Sequence, residues 1–251
     1  MIDLAGKRAL VTGGSRGIGA ATARLLAMCG AGVAIGYRSR KDDAERVVRD
    51  LEAMGVKAGA FASELATVGG AESLVSDSVK LLGGLDIFIG NAGIWPVEDV
   101  PVSEMDDERW HRTTVENIDA MFFTCRAVSR VIERDGRIVL VASTAGQRGE
   151  AYHADYGASK GAMISFVKSL APELASRGVT VNAVAPGWVD TEMVGGALEQ
   201  GGRAKIAASI PIGRVATADD IAGPIVFLCS SHARHITGEI VNVNGGAVLC
   251  G

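Results

Sequence analysis

Short apolar runs bounded by Gly, Asn or Pro alternate along this chain with longer stretches of helical periodicity, and this alternation leaves few folds open. Two parallel strands need a crossover of a dozen or more residues between them, and a helix is the usual filling. The predicted strands are Arg8–Thr12, Gly32–Tyr37, Lys57–Phe61, Leu85–Ile89, Gly136–Ala142, Val179–Ala183 and Glu239–Val243. The predicted helices are Ile18–Met28, Asp42–Met54, Gly69–Leu82, Asp106–Arg134, Asp155–Ser176 and Ala218–Cys229. Seven strands and six helices with crossovers of this length specify an α/β fold: a doubly wound parallel sheet of about seven strands flanked by helices. Such sheets bind ligands beyond the carboxyl ends of their strands, so functional residues are expected just after strands.

No Pro-, Ser- or charge-rich linker divides the 251 residues, and 1–251 reads as a single domain. The chain is 48% hydrophobic, with 33 glycines and 5% aromatic residues, which suits an aliphatic core crossed by many tight turns. A net charge of -4 without a basic run offers nothing to neutralise a phosphate backbone, so nucleic acid is not an expected partner. The first residues lead into an apolar segment too short for a signal peptide, and no long apolar span follows. A cytoplasmic protein without membrane contact is expected. Cys29, Cys125, Cys229 and Cys250 are far apart and form no CxxC pair, which reads as reduced thiols. The four histidines form no HExxH and no Cys/His cluster, so no metal site is expected.

The first strand runs into Thr12-Gly13-Gly14-Ser15-Arg16-Gly17-Ile18-Gly19, which opens a helix. Gly13 permits the tight turn, Gly17 clears space where a pyrophosphate would approach, and Gly19 allows close packing of helix and strand. The helix N-terminus offers free N–H groups to phosphates. Strand, glycine turn, helix and second strand together make a dinucleotide (Rossmann-type) site the expectation. Tyr37 ends the second strand where an NAD-preferring site would carry a carboxylate for the ribose 2′-OH. Arg38 and Ser39 follow it, and Arg16 reaches across from the glycine turn, so a 2′-phosphate and hence NADP(H) is expected.

These motifs resemble those of the short-chain dehydrogenase/reductase family, which has the TGxxxGxG spacing seen from Thr12 to Gly19. The resemblance continues in order through Asn91-Ala92-Gly93, Ser143, Tyr156-Gly157-Ala158-Ser159-Lys160, Pro186-Gly187 and Thr237-Gly238 leading into Asn244-Gly245-Gly246. Gly90 stands where the family usually has a second Asn, and Glu64-Leu65 where it usually has Asp-Val beneath the adenine. The resemblance implies cofactor contacts at Gly13, Ser15, Arg16, Gly17, Ile18, Gly19, Arg38, Ser39, Glu64, Leu65, Asn91, Gly93, Tyr156, Lys160, Pro186, Gly187, Val189 and Thr191.

Tyr156 and Lys160 are four positions apart on a predicted helix and so share one face. A free phenol has a pKa of about 10 and exchanges protons poorly at neutral pH, so a neighbouring ammonium is expected to lower it toward working pH. Ser143 follows an apolar strand and should emerge at its carboxyl edge, while Asn117 is a polar amide inside a helix otherwise suited to burial. The resemblance completes the catalytic set Asn117, Ser143, Tyr156 and Lys160. In the implied chemistry Ser143 donates to a substrate carbonyl and Tyr156 passes a proton to the developing alkoxide as hydride arrives. Lys160 holds the nicotinamide ribose, and Asn117 orders a water that connects to the lysine.

Trp95, Gln147, His153, Trp188 and Met193 are the expected substrate pocket, with Arg148, Glu150 and Tyr152 as further neighbours. The stretch 191–209, rich in glycine, is expected to be a substrate lid. Within the family the wording of Arg177–Gly187 and Pro211–Val215 is most like 3-oxoacyl-acyl-carrier-protein reductases. Arg134 and Arg177 match positions that in those enzymes meet the acidic carrier protein, although a basic residue near a helix end is also favoured by the macrodipole. The implied reaction is NADPH-dependent reduction of a small carbonyl substrate, free or carried on acyl carrier protein. The alternatives are a carbonyl reductase acting on another ketone, sugar or steroid, and a non-catalytic dinucleotide sensor. Apolar residues on more than one face of the helices carrying Asn117 and Tyr156, with the family's habit, imply a homotetramer.

Overall fold

The computed structural model describes residues 2–199 and 201–250. Seven parallel strands form one sheet in the order β3-β2-β1-β4-β5-β6-β7. They are β1 (Arg8–Thr12), β2 (Gly32–Tyr37), β3 (Ala58–Ala62), β4 (Ile87–Gly90), β5 (Arg137–Val141), β6 (Thr180–Pro186) and β7 (Ile240–Val243). The connecting helices are α1 (Gly17–Met28), α2 (Lys41–Ala53), α3 (Val68–Leu82), α4 (Asp107–Thr114), α5 (Ala120–Val131), α6 (Ala145–Arg148), α7 (Ala154–Leu174), α8 (Gly195–Leu198), α9 (Gly202–Ser209) and α10 (Ala218–Cys229).

Alternate strand residues face opposite sides of the sheet, and each side has its own core. Val11, Ile35, Ile89 and Val184 pack with Leu26, Val47, Leu51, Ile221 and Ile225 from α1, α2 and α10. Their neighbours Leu10, Ala34, Phe88, Leu140 and Ala183 pack with Leu74, Val128, Met163 and Val167 from α3, α5 and α7. Because both faces are covered, the central strands β1 and β5 read as continuous apolar runs rather than alternating ones. The strand order reverses between β1 and β4, where a crevice opens at the carboxyl ends.

Three elements differ from expectation. The predicted helix Asp106–Arg134 is broken by a π turn at Val115–Asp119 and stops at Val131, because Ile132 turns extended to reach the strand. The predicted sixth strand, Val179–Ala183, runs on to Pro186, paired with β7 through Pro186 and Val243. The short helix α6 after Ser143 was not anticipated; at four residues it is too short to leave a periodic signal. Glu192–Val194, Gly195–Leu198 and Gly202–Ser209 are short helical pieces, and Leu198 forms a small core with Ile210 and Val215 beyond them, packed by Trp188 and Ile206. All four cysteines are free. Among the described residues no helix is long and apolar enough to cross a membrane.

Candidate active site

Thr12 closes β1 against β4. Its hydroxyl accepts the N–H groups of Asn91 and Ala92, each at 3.0 Å, and donates to the Ile89 carbonyl at 3.3 Å. The Asn91 amide in turn donates to the carbonyls of Thr12 and Gly13 at 3.0 and 3.2 Å, so Asn91 holds the glycine turn in shape. Gly17 has φ +53, a left-handed backbone that disfavours side chains. A Cβ on Gly19 would collide with the Gly13 carbonyl oxygen and the Asn91 amide, so Gly19 lets α1 approach the residues that directly follow β1 and β4.

Whether a dinucleotide fits can be judged at the start of α1. The helices α3, α4 and α10 are capped by Thr67, Asp106 and Thr217, but α1 has no capping side chain and no acid in its first turn. Its first N–H groups therefore lack a side-chain acceptor, the condition under which a helix N-terminus takes an anion. The cleft above it is lined by Gly13, Ser15, Arg16, Gly17 and Ile18, by Tyr37, Arg38, Ser39 and Arg40 after β2, and by Glu64, Leu65, Asn91, Gly93 and Thr191. Guanidiniums at the β2 end suit a phosphate on the adenosine ribose, so the residues fit a phosphate-bearing dinucleotide. Arg40 also lines this cleft. So do Ser63, Glu116 and Glu192, whose involvement no motif signalled.

A second cavity continues from the first, sharing Ile18, Asn91, Gly93, Ile94, Thr191 and Met193 with it. Its floor is Ser143, two residues beyond β5, with Tyr156 and Lys160 from α7. The Ser143 hydroxyl accepts the Ala145 N–H at 3.1 Å. The Lys160 Nζ lies 5.7 Å from the centre of the Tyr156 ring and donates to the Val141 carbonyl at 2.8 Å. Burial pushes the Tyr156 phenol up to about 12, with the nearby Glu150 adding to the rise and the Ser143 hydroxyl opposing it. Burial likewise lowers Lys160 to about 8. Here the structure corrects the expectation: in the free protein desolvation outweighs any lowering of the phenol by the ammonium.

The π turn places Asn117 against two neighbours. Its Oδ1 accepts the Ile94 N–H at 2.8 Å, and its Nδ2 donates to the Ile94 carbonyl and the Ser159 hydroxyl, each at 3.0 Å. The side-chain amide is thus committed to pinning the loop after β4 onto α7. A side chain at Gly93 would lie 3.0 Å from the Asn117 Oδ1 and 3.7 Å from the Lys160 Nζ, so this loop passes directly over both.

Pro186, which ends β6, and Gly187, Val189 and Thr191 beyond it lie along the same cavity, with Trp95, Trp188, Met193, Arg148 and Glu150 around the substrate side. Two expected pocket residues are elsewhere. Helix α6 turns Gln147 toward the sheet edge, where its amide donates to Asn242 Oδ1 at 2.6 Å. His153 is buried behind Trp95, stacked on it with centroids 5.0 Å apart and 12° between planes. Tyr152 is exposed and outside the cavity. Trp188 meets Trp95 edge-on at 6.0 Å, so the wall is a packed aromatic unit. Burial pushes the Glu150 carboxyl up, against the pull of His153 and Arg148. Arg177 is also not free for a partner: its guanidinium donates to the carbonyls of Ser129, at 2.6 Å, and Ile132 at the end of α5. Arg134 is exposed.

The fold and this cleft define a dinucleotide-binding oxidoreductase. Residues 13–248 match the family model described as enoyl-(acyl carrier protein) reductase, and the chain belongs to the short-chain dehydrogenase/reductase family. It is 40% identical over 250 residues to the 3-oxoacyl-[acyl-carrier-protein] reductase FabG of Escherichia coli (strain K12), covering 99% of this chain and 100% of that protein. The structure of a short-chain dehydrogenase/reductase, a glucose/ribitol dehydrogenase from Brucella melitensis, superposes with a TM-score of 0.93 at 32% identity, over 99% of both chains. A short-chain dehydrogenase from Burkholderia cenocepacia in complex with NADP does so at 0.91 and 37%, over 97% of this chain and 98% of that one.

Proposed function

We propose that the protein is an NADPH-dependent oxidoreductase that reduces a carbonyl to an alcohol, with a 3-oxoacyl thioester carried on acyl carrier protein as the leading substrate. The observation that carries the reading is the continuity of the two cavities. A groove fitted for a phosphate-bearing dinucleotide opens directly onto Ser143, Tyr156 and Lys160. When bound, a reduced nicotinamide dinucleotide supplies the hydride.

The chain's own residues do the rest. Ser143 donates to the substrate carbonyl oxygen and so holds the carbon for attack, and Tyr156 gives its proton to the oxygen as charge develops there. A phenol held near 12 is fully protonated at neutral pH, which suits reduction. Lys160 keeps an ammonium at the base of the cavity and refills the proton through the neighbourhood that Asn117 fixes. Glu64 and Leu65 flank the adenine, and Arg16 and Arg38 read the 2′-phosphate. The segment Thr191 to Ser209 serves as the substrate lid, and the working form is a cytoplasmic homotetramer.

Glu150 and the two tryptophans favour a second substrate class: a small hydroxylated ketone or sugar, whose hydroxyl would find a carboxylate acceptor and whose body would lie against the aromatic wall. NADPH oxidation measured with acetoacetyl thioesters, plain ketones, diketones and sugars separates the two, and no thioester turnover would remove the leading substrate. Replacing Tyr156 with Phe is expected to abolish hydride transfer and to leave NADPH binding, read by fluorescence, within about threefold; full activity would overturn the mechanism. Arg38→Asp is expected to cut the NADPH-to-NADH ratio of kcat/KM by at least about tenfold, and an unchanged ratio would take Arg38 out of the phosphate site.

A further inference from the structure

The cleft fitted for a dinucleotide is less basic than its arginines suggest. Arg16, Arg38 and Arg40 line it together with Glu64, Glu116 and Glu192, so its charged side chains sum to zero. A phosphate-bearing dinucleotide is polyanionic, and carboxylates around its binding arginines oppose it. Two of the three acids are joined directly to those arginines. Arg38 Nη1 donates to Glu116 Oε1. Glu192 Oε2 receives Arg16 Nη1 at 2.6 Å and Arg40 Nη2 at 3.4 Å. Arg40 is also 3.9 Å from Asp43, which holds Arg46 at 3.2 Å.

Glu192 differs from Glu116 in what it connects. Arg16 belongs to the glycine turn, Arg40 precedes α2, and Glu192 opens the helical turn Glu192–Val194, whose Met193 and Val194 line the substrate cavity. One carboxylate oxygen therefore clasps two guanidiniums, one from the turn after β1 and one from the loop after the neighbouring β2, and tethers the substrate-side segment to both. Two guanidiniums converging on one anionic oxygen are the arrangement a phosphate would otherwise receive.

We propose that Glu192 is a resident stand-in for the cofactor's 2′-phosphate: it occupies Arg16 and Arg40 in the free protein, and a phosphate-bearing dinucleotide displaces it, freeing the first turn of the substrate segment. The inference rests on the NADPH reading of the cleft. Glu192 lowers affinity for the phosphate while making the segment responsive to which dinucleotide is bound. All three side chains are about half exposed, so the effect on affinity is that of a solvent-screened ion pair.

The test uses 2′,5′-ADP and 5′-AMP, which differ by the phosphate alone, on the full-length wild type and Glu192→Gln. Glu192→Gln is expected to bind 2′,5′-ADP roughly two- to fivefold more tightly by calorimetry and to bind 5′-AMP as wild type does. In hydrogen exchange, the wild-type segment Glu192–Leu198 is expected to exchange faster when saturated with 2′,5′-ADP but not with 5′-AMP. In Glu192→Gln it exchanges fast from the start. If wild type prefers 2′,5′-ADP but the variant binds it equally or less tightly, Glu192 is not a competitor and the inference falls while the NADPH reading stands. If wild type shows no preference for 2′,5′-ADP, the NADPH reading fails and this inference with it.

Discussion

Burial works on the two central side chains in opposite directions, pushing Tyr156 up to about 12 and Lys160 down to about 8, from 10.5. The unfolded chain therefore binds a proton at Lys160 that the folded chain releases between about pH 8 and 10.5, and stability rises with pH across that window. Below it the buried ammonium is a standing cost, offset in part by its bond to the Val141 carbonyl. Lys160→Met is expected to gain roughly 1–3 kcal/mol at pH 7, seen as a higher denaturant midpoint, with the gain shrinking toward pH 10.5, and to lose turnover. A less stable variant at pH 7 would mean that the hydrogen bond outweighs desolvation. Glu150 allows a second test. Glu150→Gln is expected to cut kcat/KM for a hydroxylated ketone about tenfold and for a plain ketone less than about threefold, as loss of a charged acceptor should. Equal losses would show that Glu150 only shapes the wall. Ser143, Arg16 and Arg38 were legible because each sits just after a strand or in a glycine turn, and Tyr156 and Lys160 because four residues of helix put them on one face. Glu116 and Glu192 were not, since they meet their arginines across 78 and 176 residues of chain, where local spacing carries no signal.

Among the elements, the π turn Val115–Asp119 marks the limit of periodicity. Apolar spacing over a long helix absorbs one extra residue without losing its pattern, so the sequence reads as one helix from Asp106 to Arg134. The need for the turn lies outside the helix, in Ile94 and Ser159, which Asn117 must reach together. The helix before it is fixed to α7 by a buried cluster. Arg109 Nε meets Asp155 Oδ2 at 3.2 Å, the Thr113 hydroxyl donates to the same oxygen at 2.8 Å, and Arg109 Nη1 donates to the Glu98 carbonyl at 2.7 Å. Burial pushes the Asp155 carboxyl up, but Thr113, Arg109 and the Tyr156 amide together leave it below its usual value. Its contribution to stability is therefore full above the unfolded pKa of about 3.9 and drains away as the pH falls through the folded value. Asp155→Ala leaves a buried guanidinium unpaired and is expected to cost about 3–5 kcal/mol at pH 7, with Thr113→Val costing about 1. Denaturant titration of both at pH 7 and in acid checks the size and the convergence; a loss for Asp155→Ala below about 1 kcal/mol would show that the pair is solvated.

For the molecule as a whole, the alternation of elements was enough to specify a parallel doubly wound sheet but not which helix faces remain open. That depends on how many apolar side chains the sheet consumes. Val128 and Ala127 of α5 and Leu170 of α7 are taken up in the core, so part of the surplus from which a partner helix was inferred is spent within the chain. What remains lies along α4, the π turn and α5, where Trp110, Val115, Phe122 and Val131 stay exposed. Phe122 touches no core cluster; the Arg126 guanidinium covers it at 5.1 Å from the ring centre, and Phe123 lies beside it at 5.7 Å. Aromatic side chains flanked by an arginine on a surface helix are the composition of an interface centre. A helix packed there would carry stability through the π turn to Asn117, so assembly and the catalytic floor would be coupled by position alone. Light scattering of Phe122→Glu is expected to show a species smaller than the tetramer proposed for the wild type, with an unchanged circular dichroism spectrum, because the residue supports no monomer core. A wild type that is itself monomeric, or a Phe122→Glu variant that stays tetrameric, would place the assembly surface elsewhere or remove it.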